Sequence, residues 1–162
     1  MVVGVDPGVA RTGYGVVEAD GQRCSMLECG CIETPSDMET GERLEIIWES
    51  LGELFRKHTI HVVALERLFF TKNVTSAISV AQARGVILLR AARSKIPVKE
   101  FGPRQVKQVI TGYGAADKLQ MQRTVAMLLG LKRLPEPDDS ADALALALAG
   151  AICSSHSPEV IR

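Results

Sequence analysis

Two short apolar runs, Val2-Val3-Gly4-Val5 and Val62-Val63-Ala64-Leu65, each end on a carboxylate, Asp6 and Glu66. Runs of this length and composition are expected as buried strands, of the kind found in parallel sheets. A charge at the tip of such a strand is not needed for packing. A third place repeats the pattern: Asp139 and Asp142 open the run Ala143-Leu144-Ala145-Leu146-Ala147-Leu148. Acids that converge repel one another, and a divalent cation relieves that repulsion. The chain therefore reads as a metal-dependent enzyme with its site at a sheet edge.

The rest of the pattern tells how the acids are brought together. Residues 1–6, 12–19 and 24–33 are expected as strands, with Asp20-Gly21 as a hairpin signal. A helix is expected near Gly41 to His58, where Leu44, Ile47, Leu51, Leu54 and Phe55 recur at helical spacing between Glu42, Glu45, Glu49 and Glu53. His61–Glu66 is the fourth strand and 67–73 a loop. Val74–Ser94 is a long helix and Pro97–Phe101 the fifth strand. Pro103 suits the first turn of a helix that ends near Gly112. Further helices are expected over Asp117–Leu129 and Asp139–Cys153. This is an α/β fold with a five-stranded mixed sheet, strands 1–3 antiparallel and strands 4 and 5 parallel, flanked by helices. One domain is expected over 1–155, with a short tail, 156–162. If strand 4 lies beside strand 1, Asp6 and Glu66 share the carboxyl end of the sheet, where open α/β sheets place their sites. Asp139 and Asp142 are spaced i, i+3 and share a helical face. Asp138 points about 100° away from Asp139 and is left out.

Composition narrows the class. Hydrophobic content of 46% and charged content of 23% suit a globular chain. No apolar run reaches the length of a membrane span, and Met1–Asp6 lacks the basic start of a secretory signal, so a cytoplasmic setting is expected. Cys24, Cys29, Cys31 and Cys153 lack zinc-site or disulfide-scaffold spacing, and Cys29 and Cys31 are expected on one face of a strand. The zero net charge hides a segregation. Residues 1–66 hold five Lys/Arg and twelve Asp/Glu, residues 67–133 thirteen and two, and residues 134–162 one and five. The middle stretch suits a polyanion-facing surface. Basic, merely solvated helix faces are the alternative.

Each acid has a local reading too: Asp6 as the start of an Asp-Pro-Gly turn, Glu66 as a strand-end charge, Asp139 as an N-cap, Asp142 as a complement to the helix dipole. Those readings leave the convergence unexplained. His58, His61 and His156 lie outside the acidic runs, so the donors are oxygens and suit Mg²⁺ or Mn²⁺ rather than zinc. Two such cations, about 4 Å apart, support in-line phosphodiester hydrolysis. Asp6 is the expected bridging ligand, with Glu66 on one cation and Asp142 on the other. Asp139 is a ligand or orients the water.

The chain resembles the RuvC family of Holliday-junction resolvases, within the RNase H-like superfamily. The strings that carry this are Gly4-Val5-Asp6-Pro7-Gly8 with Thr12-Gly13-Tyr14-Gly15, Glu66 with Phe69 and Lys72-Asn73, and Gln82-Ala83-Arg84-Gly85-Val86. They continue in Arg104-Gln105-Val106-Lys107, Gly112-Tyr113-Gly114-Ala115, Lys118, and Asp139-x-x-Asp142-Ala143-Leu144. The resemblance implies an RNase H-like fold and a Mg²⁺-dependent endonuclease that resolves four-way junction DNA by paired symmetric nicks. It implies a homodimer and work alongside the RuvA and RuvB branch-migration proteins. It puts catalytic and metal-ligating roles on Asp6, Glu66, Asp139 and Asp142, although some members carry histidine where Asp139 stands. It puts DNA contacts on Phe69, Lys72, Arg84, Arg104, Lys107 and Lys118. An aromatic such as Phe69 can stack on an unpaired base, or can simply belong to the core. The family often has a longer basic tail than Ser157–Arg162. The helix over 74–94 carries Ala77, Ala81, Ala83, Gly85 and then Val86-Ile87-Leu88-Leu89, more than one core-facing stripe needs, and is expected to pair across a two-fold axis. Two other classes stand beside this one. An ATP-binding module of the actin and sugar-kinase type would need a second similar domain, and a catalytically dead junction-binding scaffold would not need all four acids.

Overall fold

The computed structural model describes residues 1–21, 23–67 and 74–155, with the side chains of 74–76 and 155 set aside. Its elements, in chain order, are β1 (Val2–Asp6), β2 (Arg11–Asp20), β3 (Arg23–Glu33), α1 (Thr40–Lys57) and β4 (Val62–Glu66). They continue with α2 (Val74–Arg93), β5 (Val98–Phe101), α3 (Pro103–Thr111), α4 (Lys118–Leu128) and α5 (Asp138–Ser155). The strands form one sheet in the order β3-β2-β1-β4-β5. The β1–β2 and β2–β3 pairs are antiparallel, and β1–β4 and β4–β5 are parallel. This is the mixed sheet expected from the sequence. Gly21 supplies the positive φ, 61°, of the β2–β3 turn. Gly112, at φ 74°, ends α3 in the left-handed conformation. Cys29 and Cys31 lie opposite Gly15 and Gly13, on one face of β3. The last helix starts at Asp138, one residue earlier than its spacing suggested.

Strand alternation sorts the core into two layers. Val3, Val5, Val63 and Leu65 pack with Ile47, Leu51 and Ile87 of α1 and α2 on one face. Val2, Ala64 and Phe101 pack on the other with Leu144, Leu148, Val106 and Val125 of α5, α3 and α4. From Ala143 to Ala151 every residue of α5 is buried, because the sheet covers one side and α3 and α4 cover another. A helix apolar all round is the sequence expression of that position.

The contact between α5 and the sheet is backbone to backbone. A Cβ on Gly4 would stand 2.0 Å from the Ala143 carbonyl oxygen and 2.4 Å from the Ala147 nitrogen. One on Gly13 would stand 2.1 Å from the Asp139 carbonyl oxygen. Gly4 and Gly13 are thus the floor on which the last helix rests. Gly13→Ala must displace the start of α5 and is expected to cost about 3 kcal/mol, read as a lower urea midpoint. Gly41→Ala, with nothing within 4 Å of the new Cβ, is the control. Equal midpoints for the two variants would contradict this packing.

Candidate active site

The same alternation that sends Val5 and Leu65 toward α1 and α2 sends Asp6 and Glu66 toward α5. Parallel pairing matches Val5 with Leu65, so the next residue on each strand emerges at the carboxyl edge, side by side. The turn that follows Asp6 is held in place from several directions. Thr12 Oγ1 donates to the Gly8 carbonyl at 2.7 Å, Thr34 Oγ1 donates to the Val9 carbonyl at 2.6 Å, and Arg43 Nε donates to Thr34 Oγ1 at 2.8 Å. Thr12 and Thr34 are buried.

The N-terminal turn of α5 delivers the other two acids. Asp142 faces a cleft of about 260 Å³ together with Asp6, Glu66, Lys107, Lys118 and an apolar wall of Pro103, Val106, Met121, Ala145 and Leu146. Asp139 borders the cluster without lining the cleft. Its Oδ2 lies 2.9 Å from Arg11 Nε, and the same guanidinium reaches Glu33 at 3.7 Å. Lys118 Nζ stands 2.9 Å from Asp138 and 3.9 Å from Asp142. Asp138, excluded by its direction, stays out of the cleft but anchors a lysine that enters it.

Crowding shows in the proton affinities. The Asp6 carboxyl is pushed up to about 7, first by burial and then by Asp142, Glu66 and Asp139, with Lys118 opposing. Burial and Asp142 raise Glu66. Partial burial raises Asp142, and Lys118 opposes it. Hydrogen bonding to Lys118 lowers Asp138. Among the described residues, no three His, Cys, Asp or Glu side chains converge closely enough to hold an ion as they stand. Arg11 holds Asp139 to one side, and Lys118 is shared between Asp138 and Asp142. The donor set still fits a hard cation. It is all oxygen, and burial first, then neighbouring acids, hold Asp6, Glu66 and Asp142 above the usual carboxylate range.

The expected DNA-contacting residues divide. Lys107 and Lys118 are at the cleft, and Arg104 is exposed on the first turn of α3. Phe69 and Lys72 lie outside the described residues, as does the tail 156–162. Arg84 departs from expectation: it is 9% exposed, with its guanidinium engaged by the Glu66 carbonyl and the Glu100 carboxylate, so it faces the interior rather than a ligand. Arg11 was not among the expected site residues. The signal was present, because Arg11 and Gly13 alternate onto the same face of β2 and Gly13 lies under Asp139.

The sequence pattern of the RuvC family, described as crossover junction endodeoxyribonuclease RuvC, matches residues 2–150. The crossover junction endodeoxyribonuclease RuvC of Desulfitobacterium hafniense (strain DSM 10664 / DCB-2) is 46% identical over 162 residues, 100% of this chain and 96% of that protein. The protein of the same description from Clostridioides difficile (strain 630) is 45% identical over 157 residues, 97% of this chain and 90% of that one. The structure of T. thermophilus RuvC in complex with a Holliday junction substrate superposes with a TM-score of 0.91 at 35% identity, over 95% of this chain and 94% of that one. With its sheet order, its strand-end acids and this similarity along nearly its whole length, the chain belongs to the RuvC family of crossover junction endodeoxyribonucleases.

Proposed function

We propose that this chain resolves four-way DNA junctions by hydrolysing phosphodiester bonds in its acidic cleft, as a Mg²⁺-dependent homodimer. The observation that carries the reading is the meeting of Asp6, Glu66 and Asp142 with Lys107 and Lys118 in one cleft, in a chain of this family. Asp6, Glu66 and Asp142 would hold the divalent cations, two per site in this reading, with Mn²⁺ as a substitute and Asp139 as a further ligand or base. Bound there, the cations supply activation of water and relief of charge on the leaving oxygen. Lys107 and Lys118 position the phosphate and offset the charge that gathers on it in the transition state. The apolar wall from Val106 to Leu146 limits water around the scissile bond. Arg104, with Phe69 and Lys72, extends the contact along the DNA.

The dimer reading rests on α2. Its outward positions Ile78, Ala81, Gly85, Leu89 and Ala92 are exposed, and Ile78 and Leu89 are each 56% exposed. An apolar stripe of small and branched residues along about four turns is suited to a second copy of the same helix. Cooperation with RuvA and RuvB is carried over from the family resemblance. A cytoplasmic setting accords with four free cysteines, and no helix among the described residues is long and apolar enough to cross a membrane.

Asp6→Asn is expected to bind a synthetic four-way junction as tightly as the parent while its Mg²⁺-dependent nicking falls more than about a thousandfold. Nicking at the parent rate would remove Asp6 from the site. The same variant has a stability signature in chelator. The folded carboxyl titrates near 7 against an ordinary value of 3.8. Stabilisation by its proton is therefore complete below about pH 4 and lost as pH rises through about 7. At about pH 8 Asp6→Asn should exceed the parent by on the order of 2–4 kcal/mol, at about 1.4 kcal/mol per pH unit, and the difference should close toward about pH 4. Junction affinity should fall steeply with salt, by roughly 0.9 in log K per log salt for each phosphate neutralised. A flat salt profile would contradict a basic docking surface. Leu89→Lys should convert the dimer to a monomer in sedimentation equilibrium at micromolar concentration. A parent that is already monomeric there would overturn the dimer reading.

A further inference from the structure

Arg84 is a buried cation that neither the cleft nor the outward stripe of α2 uses. It sits on the inner side of α2 with Ala83, Ile87 and Ala91, all buried, whereas Gly85 and Leu89 face outward. A guanidinium in such a place needs its charge and donors satisfied. Nη2 donates to Glu100 Oε1 at 2.5 Å, and Nη1 donates to the main-chain carbonyl of Glu66 at 2.5 Å. Glu100 pairs with Leu65 across β5 and β4 and shares its face of the sheet. Arg84 thus reaches the strand ends from the α1–α2 side, while the Glu66 carboxylate opens on the α5 side. Its contact with residue 66 is through the backbone.

That contact completes a two-sided grip. The peptide unit joining Glu66 to Arg67 has its N–H bonded to the Phe101 carbonyl at 2.8 Å and its C=O bonded to Arg84. With both ends fixed, the plane of this peptide is set, and with it the direction in which Glu66 leaves the strand. Glu66 and Phe101 form the last pair of the β4–β5 ladder among the described residues. The clamp lies at the end of β4, on the residue that carries the carboxylate.

We infer that Arg84 is a positioning residue of the acidic cleft: from behind the sheet, anchored by Glu100, it fixes the backbone of Glu66 so that the carboxylate is aimed at the cation site. The inference rests on the reading of the cleft as a metal-dependent nuclease site. Loss of the clamp leaves the charge, identity and cleft of Glu66 intact and changes only its aim. A misaimed ligand weakens metal binding and slows the chemical step, while junction docking, which uses other surfaces, is unaffected.

The test compares the full-length parent with Arg84→Met, Arg84→Lys and Glu100→Gln, after thermal melts identify which variants fold. Junction affinity is measured in Ca²⁺, single-turnover cleavage in Mg²⁺ at saturating junction, and Mn²⁺ binding by calorimetry without DNA. For Arg84→Met the expected results are junction affinity within about threefold of the parent, Mn²⁺ affinity about tenfold weaker and cleavage about a hundredfold slower. Arg84→Lys should recover part of both losses, since one ammonium cannot span both acceptors. Glu100→Gln keeps the arginine, weakens its anchor and should show the same pattern at about a tenth of the amplitude. It carries the test if Arg84→Met does not fold. Parent-like cleavage and Mn²⁺ affinity in the folded variants would overturn the inference. So would weaker junction affinity with a shallower salt slope and a normal rate at saturation, which would make Arg84 a direct phosphate contact. A parent that neither binds Mn²⁺ nor cuts the junction would instead defeat the reading of the cleft. In that case a parent-like fold and unchanged thermal stability in every variant would also count against a clamp.

Discussion

The placement of α5 directly on the sheet governs everything else in the site. Gly4 and Gly13 leave no side chain between the helix and strands β1 and β2, so main-chain atoms of Ala143, Ala147 and Asp139 rest against strand backbone. A contact of this kind has no rotamers to relax. It sets the height and the rotation of the helix together, and so sets where Asp142 stands relative to Asp6. The apolar length of α5 follows from the same constraint, because a helix pressed this deeply into the fold has no exposed face along its middle.

On that rigid frame the electrostatics are left unbalanced. Three carboxyl groups line one cleft and are held above their ordinary proton affinities by burial and by neighbouring acids. Lys118 opposes the effect at Asp6 and Asp142 but shares its charge with Asp138, and Arg11 draws Asp139 aside. Such stored repulsion lowers the stability of the fold and raises its affinity for a counter-charge, the usual trade at a functional site. Arg84 stands outside this account, since its contact with residue 66 is mechanical.

The parts of this design that depend on periodicity were legible in the chain. Val2–Asp6 and Val62–Glu66 showed both the buried strands and the acids at their tips, and i, i+3 spacing put Asp139 and Asp142 on one helical face. That strand four lies beside strand one stayed a condition in the sequence and is settled by the parallel β1–β4 pairing. What could not be read was which long side chain reaches which partner. Arg84 lies in a basic stretch and in a string shared with the family, yet its reach to Glu100 depends on the register of β5 against β4, which nothing near residue 84 encodes. The turning of Asp139 toward Arg11 likewise depends on a pairing between the second strand and the last helix, more than a hundred residues apart in sequence. Asp138 was left out of the site by its direction on the helix, and its hold on Lys118 became visible only once α4 was in place beside α5.

The segregation of charge along the sequence acquires a direction once the strands are ordered. Residues 1–66, rich in acids, supply β3, β2, β1, β4 and α1, while the basic stretch supplies β5 at the opposite edge and helices α2, α3 and α4. A molecule with no net charge but with its charges parted across a sheet is a dipole. A polyanion exerts little net pull on its centre and a torque on its axis, turning the β5 side forward before any contact is made. Within a Debye length, about 8 Å at physiological salt, that torque acts as an orientation filter.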